Sequence, residues 1–146
     1  MIVVHDVANG VGESPVWDDG VLRWVDITGR TVHALASDGT VSSHGTGDFP
    51  CFLALRRGGG AVVGLRNRLA YLDLKTGSLE PFLEPEPERP ENRFNEAGVD
   101  PVGRLWFSTM QNNITAAGDP KAMTAATGAL YRLGPDGACT RVLDDI

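Results

Sequence analysis

The chain has no apolar run approaching the ~20 residues that a membrane-spanning helix needs, so a helical span is excluded. Its opening residues, Met1-Ile2-Val3-Val4-His5-Asp6, carry no basic run, no long apolar core and no small-residue cleavage signal, unlike a secretion leader. Basic clusters are missing as well. Lys and Arg number 13 against 19 Asp and Glu, for a net charge of -6. Affinity for phosphate backbones comes mainly from clustered Lys and Arg, so neither a nucleic-acid nor a membrane partner is expected. The densest basic spot, Arg56-Arg57, reads as solvated surface. The two cysteines, Cys51 and Cys139, show no metal or redox spacing and read as small core or surface residues, with cytoplasmic residence as the default. The three histidines, His5, His33 and His44, share no ligand spacing. Helix signals are scarce too.

What remains is a chain of 146 residues, 42% hydrophobic and 22% charged, enough for one soluble globular domain with a core. Its apolar residues come in short runs bounded by Gly, Asp, Asn and Pro, the pattern of successive antiparallel strands. Asp18-Asp19-Gly20, Ser37-Asp38-Gly39, Lys75-Thr76-Gly77 and Pro135-Asp136-Gly137 each place a Gly where a tight reversal needs positive φ. Val21 to Asp26, Thr31 to Ala36 and Val41 to His44 form one set of strands. A second comprises Ala61 to Leu65, Leu69 to Leu74 and Leu79 to Leu83, and a third Arg104 to Met110, Ala129 to Leu133 and Cys139 to Leu143.

Aligning Trp24, Val62 and Trp106 gives spacings of 38 and 44 residues, in the range of four-stranded propeller blades. Ser14 to Trp17, Phe52 to Arg56 and Ala97 to Pro101 then open each set. The expected fold is all-β: about three four-stranded antiparallel blades of a partial six-bladed β-propeller. Blade one covers about 12–46, blade two about 50–84 and blade three about 96–144 of a single 1–146 portion, with 1–7 as an orphan end strand. The proline-rich Glu84 to Pro90 joins blades two and three. Gln111 to Thr127 reads as a surface loop with a short helical turn near Lys121 to Ala125. An open arc leaves strand edges unpaired, so the first half of a ring, or a half that closes as a homodimer, is expected.

Two stretches carry candidate chemistry. Gly12-Glu13-Ser14-Pro15-Val16-Trp17 puts a carboxylate at the mouth of a strand; on its own, Glu13 reads as a solvated turn residue. In Glu91-Asn92-Arg93-Phe94-Asn95-Glu96, Arg93 and Asn95 alternate around Phe94 and share one face of an extended strand. Arg offers a rigid fork of donors and Asn both a donor and an acceptor, which suits a polar ligand. The bland reading pairs Arg93 with Glu91 or Glu96. Asp100 opens the turn Asp-Pro-Val-Gly and reads as structural.

Together the two stretches, the second running on through Asp100 to Met110, resemble the gluconolactonase family, also called the senescence marker protein 30 or regucalcin-like family. The resemblance implies a lactonase-type enzyme that hydrolyses a sugar lactone, its small-molecule partner, with one divalent cation (Ca, Zn, Mn or Mg). It implies Glu13 as a metal ligand and Arg93 and Asn95 as substrate-binding residues. Asn113 stands where the family often carries an acidic residue; in the place of a substrate-contacting carboxylate it keeps hydrogen-bonding capacity without the charge. No catalytic residue is expected here, because the family's general-base Asp belongs to later blades and has no counterpart up to Ile146. One carboxylate cannot supply the roughly six or more oxygens of a Ca²⁺ site, so the half chain is expected to be inactive alone. The alternatives are a calcium- or sugar-binding regulatory module without turnover, and an esterase or organophosphatase-like hydrolase on the same fold.

Overall fold

The computed structural model describes residues 7–146, and these residues form twelve strands in three four-stranded antiparallel sheets. The first sheet is β1 (Gly12–Asp18), β2 (Val21–Asp26), β3 (Thr31–Ala36) and β4 (Val41–Gly45), in chain order. The second is β5 (Pro50–Leu55), β6 (Ala61–Leu65), β7 (Arg68–Leu72) and β8 (Leu79–Leu83). The third is β9 (Asn92–Val99), β10 (Leu105–Gln111), β11 (Ala129–Leu133) and β12 (Cys139–Asp144). No described residue is helical. The all-β partial propeller expected from the sequence is what the chain adopts; the proposed end strand over 1–7 falls, apart from Val7, outside the described residues.

Hairpins follow from turn chemistry. Gly20, Gly39, Gly77 and Gly137 all take positive φ, between 75° and 87°, at the four reversals read from the sequence. Each opening strand, β1, β5 and β9, also carries a bulge against its neighbour. In β1, Ser14 and Pro15 together oppose Trp24; in β9, Asn95 and Glu96 oppose Ser108. A bulge bends its strand and re-aims the side chains beside it.

The opening strands also join the sheets, β1 packing on β5 and β5 on β9. Their buried residues are continuous with one core. Phe52 of β5, Phe94 of β9 and Phe107 of β10 meet at centroid distances of 5.3 to 6.2 Å, and Tyr131 of β11 stacks on Phe107 at 5.3 Å. Each such ring pair adds about 0.5–1.5 kcal/mol beyond the area it buries. Gly64 is required here, because a Cβ at that position would lie 2.3 Å from the Phe52 ring. On the first sheet, Val25 and Val32 form a cross-strand pair facing the core.

Two expectations need correction. The opening strand of the third sheet runs Asn92–Val99 rather than Ala97 to Pro101. Asp100 ends it: the carboxylate accepts the backbone N–H of Val102 at 3.1 Å and of Arg104 at 2.9 Å, folding the chain away, while Asn92 to Phe94 pair with Gln111 to Thr109. Lys121 to Ala125 forms no helical turn. The Gln111 Oε1 atom accepts the N–H groups of Thr124 at 2.5 Å and Ala125 at 3.2 Å, so donors that would start a helix are already taken.

Candidate ligand site

Glu13, Arg93, Asn95 and Asn113 all line one cavity of about 440 Å³, with Thr28 and Glu96 as further polar wall and Ile27 and Ile114 as apolar wall. They come from three separated stretches of chain: β1, β9 and the loop after β10.

Glu13 is placed by its neighbours. Ser14 has φ 53°, an unfavourable conformation for a residue with a side chain, and is held there across the sheet boundary: its Oγ accepts the Leu53 N–H at 3.0 Å. The approach to β1 is fixed by Asp26, whose carboxylate accepts the N–H groups of Gly10 and Val11, both at 3.0 Å, and of Gly29 at 3.1 Å. Burial pushes the Asp26 carboxyl up; the donors from Val11, Gly29 and Gly10 outweigh it and leave the group below its usual 3.8. Glu13 itself is exposed and has no hydrogen-bond partner among the described residues.

Arg93 is placed by its partners. It is only 6% exposed, and it donates from Nε and Nη2 to Asn113 Oδ1 at 3.0 and 2.8 Å, and from Nη1 to the Phe94 carbonyl at 2.6 Å. It pairs with neither Glu91 nor Glu96. Glu91 instead lies 3.8 Å from Lys121, and Glu96 Oε1 accepts the Ala97 N–H at 3.2 Å. Asn113 follows the buried Asn112, whose side chain donates to the Ile114 carbonyl at 2.8 Å and accepts the Ile114 N–H at 3.2 Å, fixing the turn. The loop then reaches the first sheet, where Arg30 Nη2 donates to the Ala116 carbonyl at 2.7 Å.

Glu96 and Thr28 are the wall residues that sequence reasoning missed. The β9 bulge breaks the alternation that would turn Glu96 away from Asn95, and bulges leave little trace in sequence. Other tempting residues are structural. Asp100 accepts from Trp106 Nε1 at 3.0 Å and Arg104 Nε at 2.6 Å, and is held far below the usual carboxylate range by the Trp106 bond first, then by Arg104. His33 stacks on Trp24 at 5.1 Å and bonds Ser43, and His44 bonds the Leu74 carbonyl. Both cysteines are free; His5 lies outside the described residues.

A larger cleft of about 680 Å³ opens at the other ends of the strands, lined by Leu55, Arg56, Tyr71, Phe82 and Val99 among others. Its Arg56 guanidinium lies over the Tyr71 ring at 4.2 Å. Convergent polar groups distinguish a ligand site better than volume, which favours the smaller cavity.

No group of three or more His, Cys, Asp and Glu is arranged to hold a metal ion among the described residues. The cavity offers the Glu13 and Glu96 carboxylates and amide oxygens, one of which Arg93 already occupies. By themselves these residues fit neither a complete calcium site, which takes roughly six or more oxygens, nor a zinc site, which takes about four ligands.

Residues 11–146 match the family model described as the SMP-30/Gluconolactonase/LRE-like region. Among curated proteins, chicken (Gallus gallus) regucalcin is 34% identical over 148 residues, covering 93% of this chain and 45% of its own length. The chain thus spans about half the length of the curated relatives it matches. Among solved structures, a calcium-binding regucalcin of Agrobacterium tumefaciens is 28% identical with a TM-score of 0.83, covering 99% of this chain and 46% of its own. A gluconolactonase of Xanthomonas campestris is 25% identical with a TM-score of 0.78, covering 97% of this chain and 50% of its own.

Proposed function

The chain belongs to the SMP-30/gluconolactonase/LRE-like family, and from that premise we propose that it supplies the substrate-holding part of a sugar-lactone hydrolase site. The observation that carries the reading is the convergence of Glu13, Arg93, Asn95 and Asn113 on one polar cavity. A lactone is a ring of acceptors and hydroxyls. Arg93 and the Asn113 amide supply donors to its oxygens, and Asn95 supplies both a donor and an acceptor. Ile27 and Ile114 offer apolar wall for the ring carbons.

Glu13 is proposed as one oxygen ligand of a divalent cation, calcium, zinc, manganese or magnesium. The rest of that coordination sphere, and the base that activates water, would come from outside the described residues. A second copy of this chain is the partner we propose for closing the ring. By strand alternation, Leu22, Trp24 and Leu35 at one end of the arc and Trp106 and Leu130 at the other face away from the core and are half-buried. Light scattering at twice the monomer mass supports closure; a monomer mass sinks it.

A second reading, binding without turnover, is favoured by the calcium-binding description of the Agrobacterium relative. Proton release from gluconolactone by the chain joined to the later blades it lacks, with calcium, zinc or manganese added in turn, separates the two. Turnover that Arg93→Gln and Asn95→Ala both abolish supports the hydrolase. Lactone binding by calorimetry without turnover supports the binding module, and no binding at all sinks both.

A further inference from the structure

We propose that the Arg93 guanidinium is an anion-binding subsite, and that the lactone taken by this cavity carries a carboxylate of its own, as the monolactone of an aldaric acid does. This deepens the lactone reading and rests on it.

Arg93 is buried without a counter-charge. Its acceptors, Asn113 Oδ1 and the Phe94 carbonyl, are both neutral, and no carboxylate of the described residues lies within 4.0 Å of it. Arg68, Arg89, Arg104 and Arg141 all have carboxylate partners and are more exposed. Cys51, which borders Arg93, offers no negative charge either, since burial pushes its thiol up to about 12. Taking a cation out of water is costly unless it is both paired and hydrogen-bonded, and Arg93 is only hydrogen-bonded.

Donors remain as well. A guanidinium has five N–H groups; three go to Asn113 Oδ1 and the Phe94 carbonyl, the Cys51 thiol lies within hydrogen-bonding reach of the group, and at least one N–H on a terminal nitrogen is left for a ligand. The side-chain amide nitrogen of Asn113 is also free of partners among the described residues, and both residues line the cavity. A carboxylate seated there would gain charge-assisted bonds from a guanidinium already held in place. Glu13 and Glu96 share the cavity but are exposed, so water and salt screen their repulsion more than the attraction of the desolvated Arg93.

The test titrates the isotope-labelled chain with two hydrolysis-resistant γ-lactones, acidic glucarolactone and neutral gluconolactone, following the Arg93 Nε–H signal by NMR. The acidic lactone is expected to bind tighter by about tenfold or more, the range of a hydrogen bond to a charged group. Asn113→Glu, which brings a carboxylate against the guanidinium, is expected to remove that preference, whereas Asn113→Gln retains part of it. Should Asn113→Glu fail to fold, added sodium chloride must weaken the acidic lactone selectively in the unaltered chain. Equal or tighter binding of the neutral lactone overturns the proposal and leaves the lactone reading standing. Binding of open-chain glucarate with neither lactone bound keeps the anion subsite and removes the lactone reading; no binding by any of the three overturns both.

Discussion

Glu13 and Glu86 are both glutamates within two residues of a proline, one in Glu13-Ser14-Pro15 and the other in Pro85-Glu86-Pro87, yet the fold gives them opposite duties. Glu86, in a linker that reads as acidic surface, is 5% exposed. It accepts from Asn92 Nδ2 at 2.9 Å, Thr109 Oγ1 at 2.8 Å and the Tyr131 hydroxyl at 2.9 Å, so the linker is fastened to three strands of the third sheet. Its neighbours strengthen the seam: Glu88 pairs with Arg141, and Arg89 with Asp144 at 2.8 Å. Glu13 sits at a bulge, exposed and free of protein partners, on the wall of a cavity. A carboxylate with both oxygens bonded by the protein holds structure together. One held in position by its neighbours but left unbonded is available to a ligand.

Removing each carboxylate is the strongest way to break that comparison. Glu86→Ala strands the three donors in a buried place and is expected to cost about 3 kcal/mol or more, read as a fall in the urea midpoint. Glu13→Gln is expected to change stability by less than about 0.5 kcal/mol while weakening the response to divalent cations. A Glu13→Gln loss as large as that of Glu86→Ala would erase the distinction.

Tyr131→Phe tests the network from its donor side. It removes the hydroxyl that donates to Glu86 and accepts from Arg141 Nε at 2.7 Å, for an expected loss of about 1–3 kcal/mol. Burial first, and then the bond to Glu86, hold this phenol well above its usual 10. A raised phenol stabilises the fold fully below its unfolded value and loses that contribution as pH rises toward the folded one. Unfolding midpoints of the unaltered chain should therefore fall above about pH 10, and the Tyr131→Phe variant should show less of that fall.

Ser14→Ala sharpens the other side of the comparison. It deletes the acceptor for the Leu53 N–H at a position whose φ is 53°, for an expected loss of about 1 kcal/mol. The response to divalent cations should drop more than stability does, since the same bond sets where Glu13 stands. The smallest effect concerns Asp26, whose carboxyl lies below its usual 3.8. A depressed acid contributes stability above its unfolded value and loses it as pH falls, so the gap between unaltered chain and Asp26→Asn should close below about pH 4.

Much of this was legible in the residues. Turn glycines and alternating apolar runs marked the hairpins, because a tight reversal demands positive φ and a half-buried strand demands alternation. Glu13, Arg93, Asn95 and Asn113 could be singled out from two short motifs and the run after Met110. The bulges were not legible, since an extra residue in one strand is decided by its partner's register. For the same reason Glu96 was missed as cavity wall, and the start of β9 was placed too late. Nor could Glu86 be told from its acidic neighbours, because its donors lie 6, 23 and 45 residues away. The choice of Asn113 over Glu91 or Glu96 as the partner of Arg93 likewise needed the loop's path across the site.

Backbone amide shifts during titration with gluconolactone test the shared cavity most directly. The cavity reading predicts that the largest changes fall on Val11, Glu13, Asn95, Glu96 and Asn113. Changes confined to the opposite cleft, at Leu55 to Gly58 and Val99 to Gly103, would contradict it.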